Sequence, residues 1–252
     1  NNSPQKKGEK MTGSQNSVVV VNNLNEAPAA LAAVTHAGLD DIQNDEVTLV
    51  LRIIDETGSM QPYANEVELA DREMITALKN SKAADEILMS TWLFNTSFKV
   101  LHGFVPLDDV TPLAGIYRPD NQTALYSAVY AALTDVNAGV VSYAENLRGS
   151  GIRVKVVVVA FSDGEDNYSH RQKVDPSMIK TVVADLLKQE NYLFSLVAFG
   201  TGFAKTAAAD MGFPNILESN SQPGDIRRAM GTVSKSIVRA SQTTVGSNNF
   251  FA

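Results

Sequence analysis

The sequence predicts an α/β fold with a doubly wound, mostly parallel central sheet, one antiparallel edge strand and helices on both faces. From residue 47 to residue 240, apolar runs typical of strands alternate with stretches whose apolar residues recur every three or four positions. The run at residues 154–161 is rich in valine, which is typical of a strand covered by helices on both faces. This alternation favours parallel strands joined by helices.

The first half of this region contains three predicted strands. Residues 47–54 form the first, and an amphipathic helix follows it. The apolar face of that helix carries Val67, Ala70, Met74, Ile75 and Leu78. The next two strands, Ile87–Phe94 and residues 98–104, are separated by only three residues. Because three residues cannot hold a crossover helix, these strands are expected to pair antiparallel at one edge of the sheet.

The second half repeats the alternation of helices and strands. An amphipathic helix is marked by Leu125, Ala128, Val129, Ala132, Leu133 and Val136. After the valine-rich strand, Asp175 and Pro176 supply an N-cap and a first-turn proline for another helix. The remaining elements are a strand at Tyr192–Phe199, a turn and short helix at 200–212, a short final strand at 215–218 and a last helix at 224–240. The whole region, roughly 190 residues, is the size of one domain.

We divide the chain into four parts. Residues 1–17 are predicted to form a flexible N-terminal arm, because their polar composition cannot bury enough apolar surface to offset the entropy of ordering. Residues 18–46 are predicted to be a peripheral extension, residues 47–241 the main domain and residues 242–252 a C-terminal tail. Two aromatic residues in the tail are expected to anchor a partner, since exposed paired rings can bury a large apolar area; they are Phe250 and Phe251.

The composition excludes several functions. The 252 residues include 21 Lys and Arg against 28 Asp and Glu, a net charge of −7, so nucleic-acid and membrane-surface binding are not expected. No apolar run approaches the roughly 18 residues that span a bilayer. The chain has no cysteine, so a metal would need oxygen or imidazole ligands. The lack of cysteine and of a secretory signal predicts a cytoplasmic protein.

Hydroxyl and carboxylate side chains cluster in three predicted loops. Asp55, Thr57 and Ser59 follow the first strand, Thr123 precedes a helix, and Asp163 follows the valine-rich strand. Each loop alone is better explained as a turn or a helix cap than as part of a metal site. In open parallel sheets, however, ligands bind beyond the carboxyl ends of the strands. Together the five oxygen donors predict a hard-cation site occupied by Mg²⁺, with Mn²⁺ as a possible substitute.

The same three motifs, in this order, resemble a von Willebrand factor A (VWA) domain with its metal-ion-dependent adhesion site. They are Asp55-Glu-Thr-Gly-Ser-Met, Thr123-Ala-Leu-Tyr and Ser162-Asp-Gly-Glu-Asp-Asn, and the resemblance covers about residues 47–240. In that family the first loop is Asp-x-Ser-x-Ser, so Thr57 replaces a serine and keeps the hydroxyl group. The resemblance implies a VWA/Rossmann-like fold. It also implies that Thr57, Ser59 and Thr123 bind Mg²⁺ directly, while Asp55 and Asp163 act mostly through water.

The resemblance further implies a non-enzymatic, Mg²⁺-dependent protein–protein interaction module in which an Asp or Glu of a partner completes the metal site. Such domains occur in adhesion proteins and in intracellular complexes, including bacterial partners of AAA+ ATPases. We expect an intracellular multiprotein complex. Five residues in loops near the ion are either ordinary exposed loop residues or a rim that contacts the partner and sets selectivity: Glu56, Tyr117, Arg118, Tyr168 and His170.

An alternative function comes from a different class of protein. The segment Asp55-Glu-Thr-Gly-Ser59 is similar to the Asp-Lys-Thr-Gly-Thr loop of the ATPase branch of the haloacid dehalogenase superfamily, in which Asp55 would be the covalent nucleophile. Such a phosphoryl-transfer enzyme needs a lysine near the transferring phosphoryl group. Lys155 stands at the start of the valine-rich strand, at the end of the sheet opposite to Asp55, where it could not neutralise the phosphoryl group. The alternative also assigns no role to Thr123. We therefore expect that the protein is not an enzyme.

Overall fold

The computed structural model describes residues 18–200, 202–220, 222–243 and 250–251. The strands are β1 (Val19–Val21), β2 (Glu46–Asp55), β3 (Ile87–Phe94), β4 (Phe98–Pro106), β5 (Arg153–Ser162), β6 (Tyr192–Phe199) and β7 (Asn215–Ser219). The helices are α1 (Ala27–Leu31), α2 (Ala64–Lys79), α3 (Leu125–Thr134), α4 (Val140–Gly149), α5 (Pro176–Leu187), α6 (Ala204–Met211) and α7 (Pro223–Gln242). None of the helices in these ranges is long and apolar enough to cross a membrane. The predicted arm, residues 1–17, lies outside the described residues.

The strands form one sheet in the order β1-β4-β3-β2-β5-β6-β7. Strands β3, β2, β5, β6 and β7 run parallel to one another, and β4 pairs antiparallel with β3. The predicted fold class is therefore confirmed, including the hairpin. The antiparallel strand is not outermost, because β1 pairs with its free edge and places Val20 opposite Lys99.

Two apolar layers lie on opposite faces of the sheet. Along β2, Leu49, Leu51 and Ile53 enter one layer, whereas Val50 and Ile54 enter the other. The first layer also contains the buried faces of α3, α4, α5 and α6, and the second contains those of α2 and α7. Because helices pack on both faces, the strand ends are held in fixed positions at the edges of the sheet.

The segment predicted as a peripheral extension, residues 18–46, is built into the domain. Leu31 of α1 is fully buried in the first layer. His36 stacks on the rings of Phe104 and Tyr143, with centroid distances of 5.5 and 4.4 Å. A three-residue strand such as β1 is too short to leave a periodic pattern, so its pairing with β4 was not predicted.

The helix predicted to include Val136 ends two residues earlier, at Thr134, and Val136 is 74% exposed. A turn follows in which the Asp135 carboxylate accepts hydrogen bonds from the backbone N–H groups of Asn137 and Ala138, at 2.8 and 2.9 Å. These bonds end the helix and turn the chain toward α4. The sequence pattern did not predict α4.

Phe250 packs inside the chain's own fold. It is 2% exposed, lies in the second apolar layer, and its backbone N–H donates to the Asn215 side-chain oxygen at 2.9 Å. Phe251 is partly buried beside it, with ring centroids 4.9 Å apart. The prediction that Phe250 is free to anchor a partner is therefore wrong, because the sheet already covers this ring.

A buried ion pair joins β2 to α2. Arg52 and Asp71 are both completely buried and form a direct hydrogen-bonded pair. Arg52 also donates to the Thr91 hydroxyl at 2.7 Å, and Asp71 accepts the backbone N–H of Leu113 at 3.0 Å. The pair thus connects the strand that ends at Asp55 to the loop that later reaches Thr123.

Candidate metal site

Asp55 is the last residue of β2 and anchors the first loop. It is completely buried, and one carboxylate oxygen accepts the backbone N–H of Thr57 at 2.8 Å, which closes a tight turn. The other oxygen accepts the hydroxyl of Ser162, the last residue of the neighbouring strand β5, at 2.6 Å. The ends of β2 and β5 are therefore joined through a single carboxylate.

A chain of hydroxyl groups connects the first loop to the loop after β5. The Ser59 hydroxyl donates to the Asp163 carboxylate at 2.8 Å, and the Thr57 and Ser59 hydroxyl oxygens are 3.0 Å apart. Since the single proton of Ser59 is used on Asp163, Thr57 donates in the second bond. The structure thus brings together Asp55, Thr57, Ser59 and Asp163, four of the five predicted metal residues.

The loop that carries Thr123 is bonded to both of the others. The Gly58 N–H donates to the Asn121 carbonyl at 3.1 Å, and Thr123 donates its own N–H to the Asn167 side chain at 3.0 Å. Asn121 adopts a φ of 66°, a left-handed conformation that asparagine tolerates better than most residues. Thr123 is 4% exposed. The fifth predicted residue therefore lies in a backbone segment held between the other two loops.

The electrostatics of this edge fit a cation. The pKa of Asp55 is raised to about 6, chiefly by burial and also by the negative charge of Asp163, against the lowering effect of hydrogen bonds from Ser162 and Thr57. Burial also raises the pKa of Asp163. A positive ion would stabilise both ionised carboxylates.

The donor set is rich in hydroxyl groups and poor in carboxylates. Within the described residues, no three His, Cys, Asp or Glu side chains form a group that could hold a metal. The edge described above instead combines the carboxylates of Asp55 and Asp163 with neutral hydroxyls. All of these donors are oxygens, which suit Mg²⁺ or Mn²⁺ rather than a soft metal.

Two of the predicted partner-binding residues are buried. Tyr117 is 1% exposed, and its hydroxyl donates to the backbone carbonyl of Asp55. Glu56 is also 1% exposed, with its carboxylate bound by the Lys99 ammonium at 2.5 Å and by the backbone N–H of Arg118 at 2.6 Å. The expectation that both contact a partner is corrected, because their side chains support the loop from beneath.

The other three residues of the predicted rim reach the surface. The Arg118 side chain is 69% exposed, and His170 is exposed. Tyr168 is partly buried, with the Arg171 guanidinium 5.2 Å from the centre of its ring. Their contact with a partner remains a prediction.

The structure adds site residues that the sequence analysis did not single out. Ser162 fixes Asp55, and Lys99 neutralises Glu56. Asp166 accepts the backbone N–H groups of Tyr126 and Ser169, both at 2.9 Å, and so ties the third loop to the start of α3. Ser162 and Asp166 lie inside the Ser162-Asp-Gly-Glu-Asp-Asn motif, so the sequence could have indicated them. Lys99 lies 43 positions from Glu56, and no local sequence pattern predicts their pairing.

No protein-family model matches the sequence, and no curated protein matches it. Solved structures do match the fold. Proximal thread matrix protein 1 from the mussel byssus has 17% identity and a TM-score of 0.51 over 77% of this chain and 46% of its own. The vWF domain of the pilus tip protein Mfa5 from Porphyromonas gingivalis has 10% identity and a TM-score of 0.53 over 80% of this chain and 98% of its own. The pilus adhesin SpaC from Lactobacillus rhamnosus GG has 11% identity and a TM-score of 0.55 over 79% of this chain and 31% of its own.

These similarities define the class of fold. The chain has a VWA-like α/β fold, and it spans about half of the mussel protein's length and nearly all of the Mfa5 domain. The structural neighbours are adhesion and matrix proteins by name. A second structure of the mussel protein, with a TM-score of 0.50, has zinc in its metal-ion-dependent adhesion site motif.

Proposed function

We propose that this chain is a protein-binding module that depends on a divalent cation, with Mg²⁺ or Mn²⁺ held by Asp55, Thr57, Ser59, Thr123 and Asp163. The observation that carries the proposal is the continuous hydrogen-bonded path from Thr57 through Ser59 to Asp163, across two neighbouring loops. The zinc-occupied site motif of the mussel matrix protein, on a similar fold, supports it.

In this proposal the residues have separate roles. The hydroxyls of Thr57, Ser59 and Thr123 are neutral ligands, and Asp55 and Asp163 balance the charge of the ion. When bound, the cation supplies an electrophilic position that accepts an Asp or Glu carboxylate of the partner. Arg118, Tyr168 and His170 contact the partner around that position.

The partner belongs, in this proposal, to an intracellular multiprotein complex, with a AAA+ ATPase as one candidate. Cytoplasmic localisation stays part of the proposal and is tested by fractionation of the native host. The named neighbours from pili and byssus share the fold and carry no evidence about where this chain acts.

The contacts of Asp55 favour binding over phosphoryl transfer. A covalent nucleophile needs a free carboxylate oxygen that reaches the substrate, whereas Asp55 is completely buried and both of its oxygens accept hydrogen bonds. The nearby lysine, Lys99, is paired with Glu56.

Calorimetric titration with Mg²⁺ and Mn²⁺ tests the site. We expect the wild-type protein to bind one ion and Asp55→Ala to lose it. Asp185→Ala is the matched control, because it removes an exposed carboxylate whose ion-pair partner among the described residues is Lys188, three positions further along the chain. Equal uptake by both variants would show that the site is wrongly placed.

A further inference from the structure

The turn between β3 and β4, residues 95–97, and the end of β3 before it are hydrogen-bonded to the first loop, to the loop that carries Thr123 and to the segment that follows the third loop. Just before the turn, the Phe94 carbonyl accepts the backbone N–H of Glu56 at 2.7 Å. Within it, the Asn95 carbonyl accepts the N–H of Ala124 at 3.0 Å. The Thr96 carbonyl accepts the side chain of Gln172, beyond the third loop, at 2.8 Å. One hairpin therefore connects three segments that are far apart in the sequence.

This turn is internally fixed. The Asn95 side-chain oxygen accepts both the backbone N–H and the hydroxyl of Ser97, at 2.9 and 3.0 Å. The Asn95 N–H donates back to the Ser97 carbonyl at 2.9 Å, and Asn95 is 6% exposed. A turn with this many internal bonds has little freedom to shift, so it can act as a reference point for the loops it contacts.

Glu56 joins the hairpin to the loop that carries Thr123. Its carboxylate pairs with Lys99 of β4 at 2.5 Å and accepts the Arg118 N–H at 2.6 Å. Its backbone carbonyl accepts the N–H of Asp120 at 3.0 Å. Side chain and backbone of one residue thus hold residues 118–120, immediately before Thr123, against the end of β2.

Burial of the Glu56 carboxylate is unfavourable unless a cation offsets its charge. Lys99 does so, and its side chain is 26% exposed while that of Glu56 is 1% exposed. The Glu56 carboxylate is directed at the Lys99 ammonium and the Arg118 N–H, so we assign it a supporting role and not that of a metal ligand. The pair acts on the arrangement of the loops.

We propose that the Glu56–Lys99 ion pair is a positioning clamp that sets the distance between the Asp55–Ser59 loop and the Thr123 loop, and thereby the affinity of the site for its cation. The inference rests on the proposed function. Residues that orient metal ligands typically change affinity by about 10- to 100-fold when removed. The expected loss is therefore at least about tenfold, although no ligand is removed.

The chain offers a matched control at the other end of β2, the strand that Glu56 follows. Lys155 of β5 pairs with Glu46, the first residue of β2, at 2.6 Å, and its side chain is 14% exposed. Lys155→Met removes a lysine from a pair of the same type far from the metal loops, where Glu46 is 33% exposed and keeps its contact with Arg153. Manganese affinity, measured by electron paramagnetic resonance below the unfolding temperature, should fall about tenfold or more in Lys99→Met and change less than about twofold in Lys155→Met.

A second readout needs no metal. Hydrogen exchange of the amides of residues 118–123 in the metal-free protein should accelerate in Lys99→Met and not in Lys155→Met. If Lys99→Met does not fold, the double variant Glu56→Gln/Lys99→Met leaves no unpaired buried charge and is measured instead. Unchanged manganese affinity or unchanged exchange in the folded variant overturns the clamp and leaves the proposed function standing. Failure of the wild type to bind manganese overturns the proposed function and the clamp with it.

Discussion

Removing one charge of the buried Arg52–Asp71 pair is expected to lower the free energy of unfolding more than removing one charge of an exposed ion pair would. Both side chains are completely buried, so Asp71→Asn leaves the Arg52 guanidinium charged and unpaired in the interior. Asparagine has nearly the same size, but its single side-chain oxygen can accept from only one of Arg52 and the Leu113 N–H, so the variant loses a hydrogen bond as well as the charge. Breaking a buried pair from one side costs about 3–5 kcal/mol, a large part of the free energy of unfolding of a typical domain.

Urea unfolding followed by circular dichroism measures this loss. Glu73→Gln is the matched control, because Glu73 pairs with Arg227 at the surface with 46% of its side chain exposed, and such pairs contribute about 0–1 kcal/mol. The double variant Arg52→Met/Asp71→Asn should be more stable than Asp71→Asn alone, since it buries no unpaired charge. A cost below about 1 kcal/mol for Asp71→Asn would refute the argument that the pair is ionised and buried.

The other predictions concern the site and the pH dependence of stability. Thr123→Ala should abolish partner binding in pull-down assays while circular dichroism stays unchanged, and full binding by this variant in excess EDTA would place the partner surface elsewhere. A generic phosphatase screen should find no turnover, and activity that disappears in Asp55→Asn would support the haloacid-dehalogenase alternative. Burial lowers the pKa of His102 from 6.5 to about 4, so its neutral form stabilises the folded state fully above pH 6.5 and this contribution is lost as the pH falls to 4. Over that range the wild type should lose about 3 kcal/mol of unfolding free energy relative to His102→Gln, because the opposing effect of the raised Asp55 pKa is the same in both proteins; an equal pH dependence in the two would assign the change to other groups.

The sequence by itself determined the main strands, the hairpin and the loops that carry the candidate ligands. These features are local: a strand covered on both faces must be apolar throughout, and a three-residue connection permits only antiparallel pairing. The five oxygen donors were recognised for the same reason. Each stands directly after a strand or before a helix, and parallel strands place such positions at one edge.

Only the tertiary structure decided which polar residues are exposed and which support the loops. Glu56 and Tyr117 look like exposed loop residues because nothing adjacent in the chain could compensate a buried carboxylate or hydroxyl. The compensation comes from Lys99, 43 residues away, and from the backbone of Asp55, 62 residues from Tyr117. Likewise β1 pairs with β4, and the backbone N–H of Phe250 donates to Asn215. Both contacts join segments that are far apart in the sequence. The burial of these residues depends on contacts between distant segments, and no local pattern encodes those contacts.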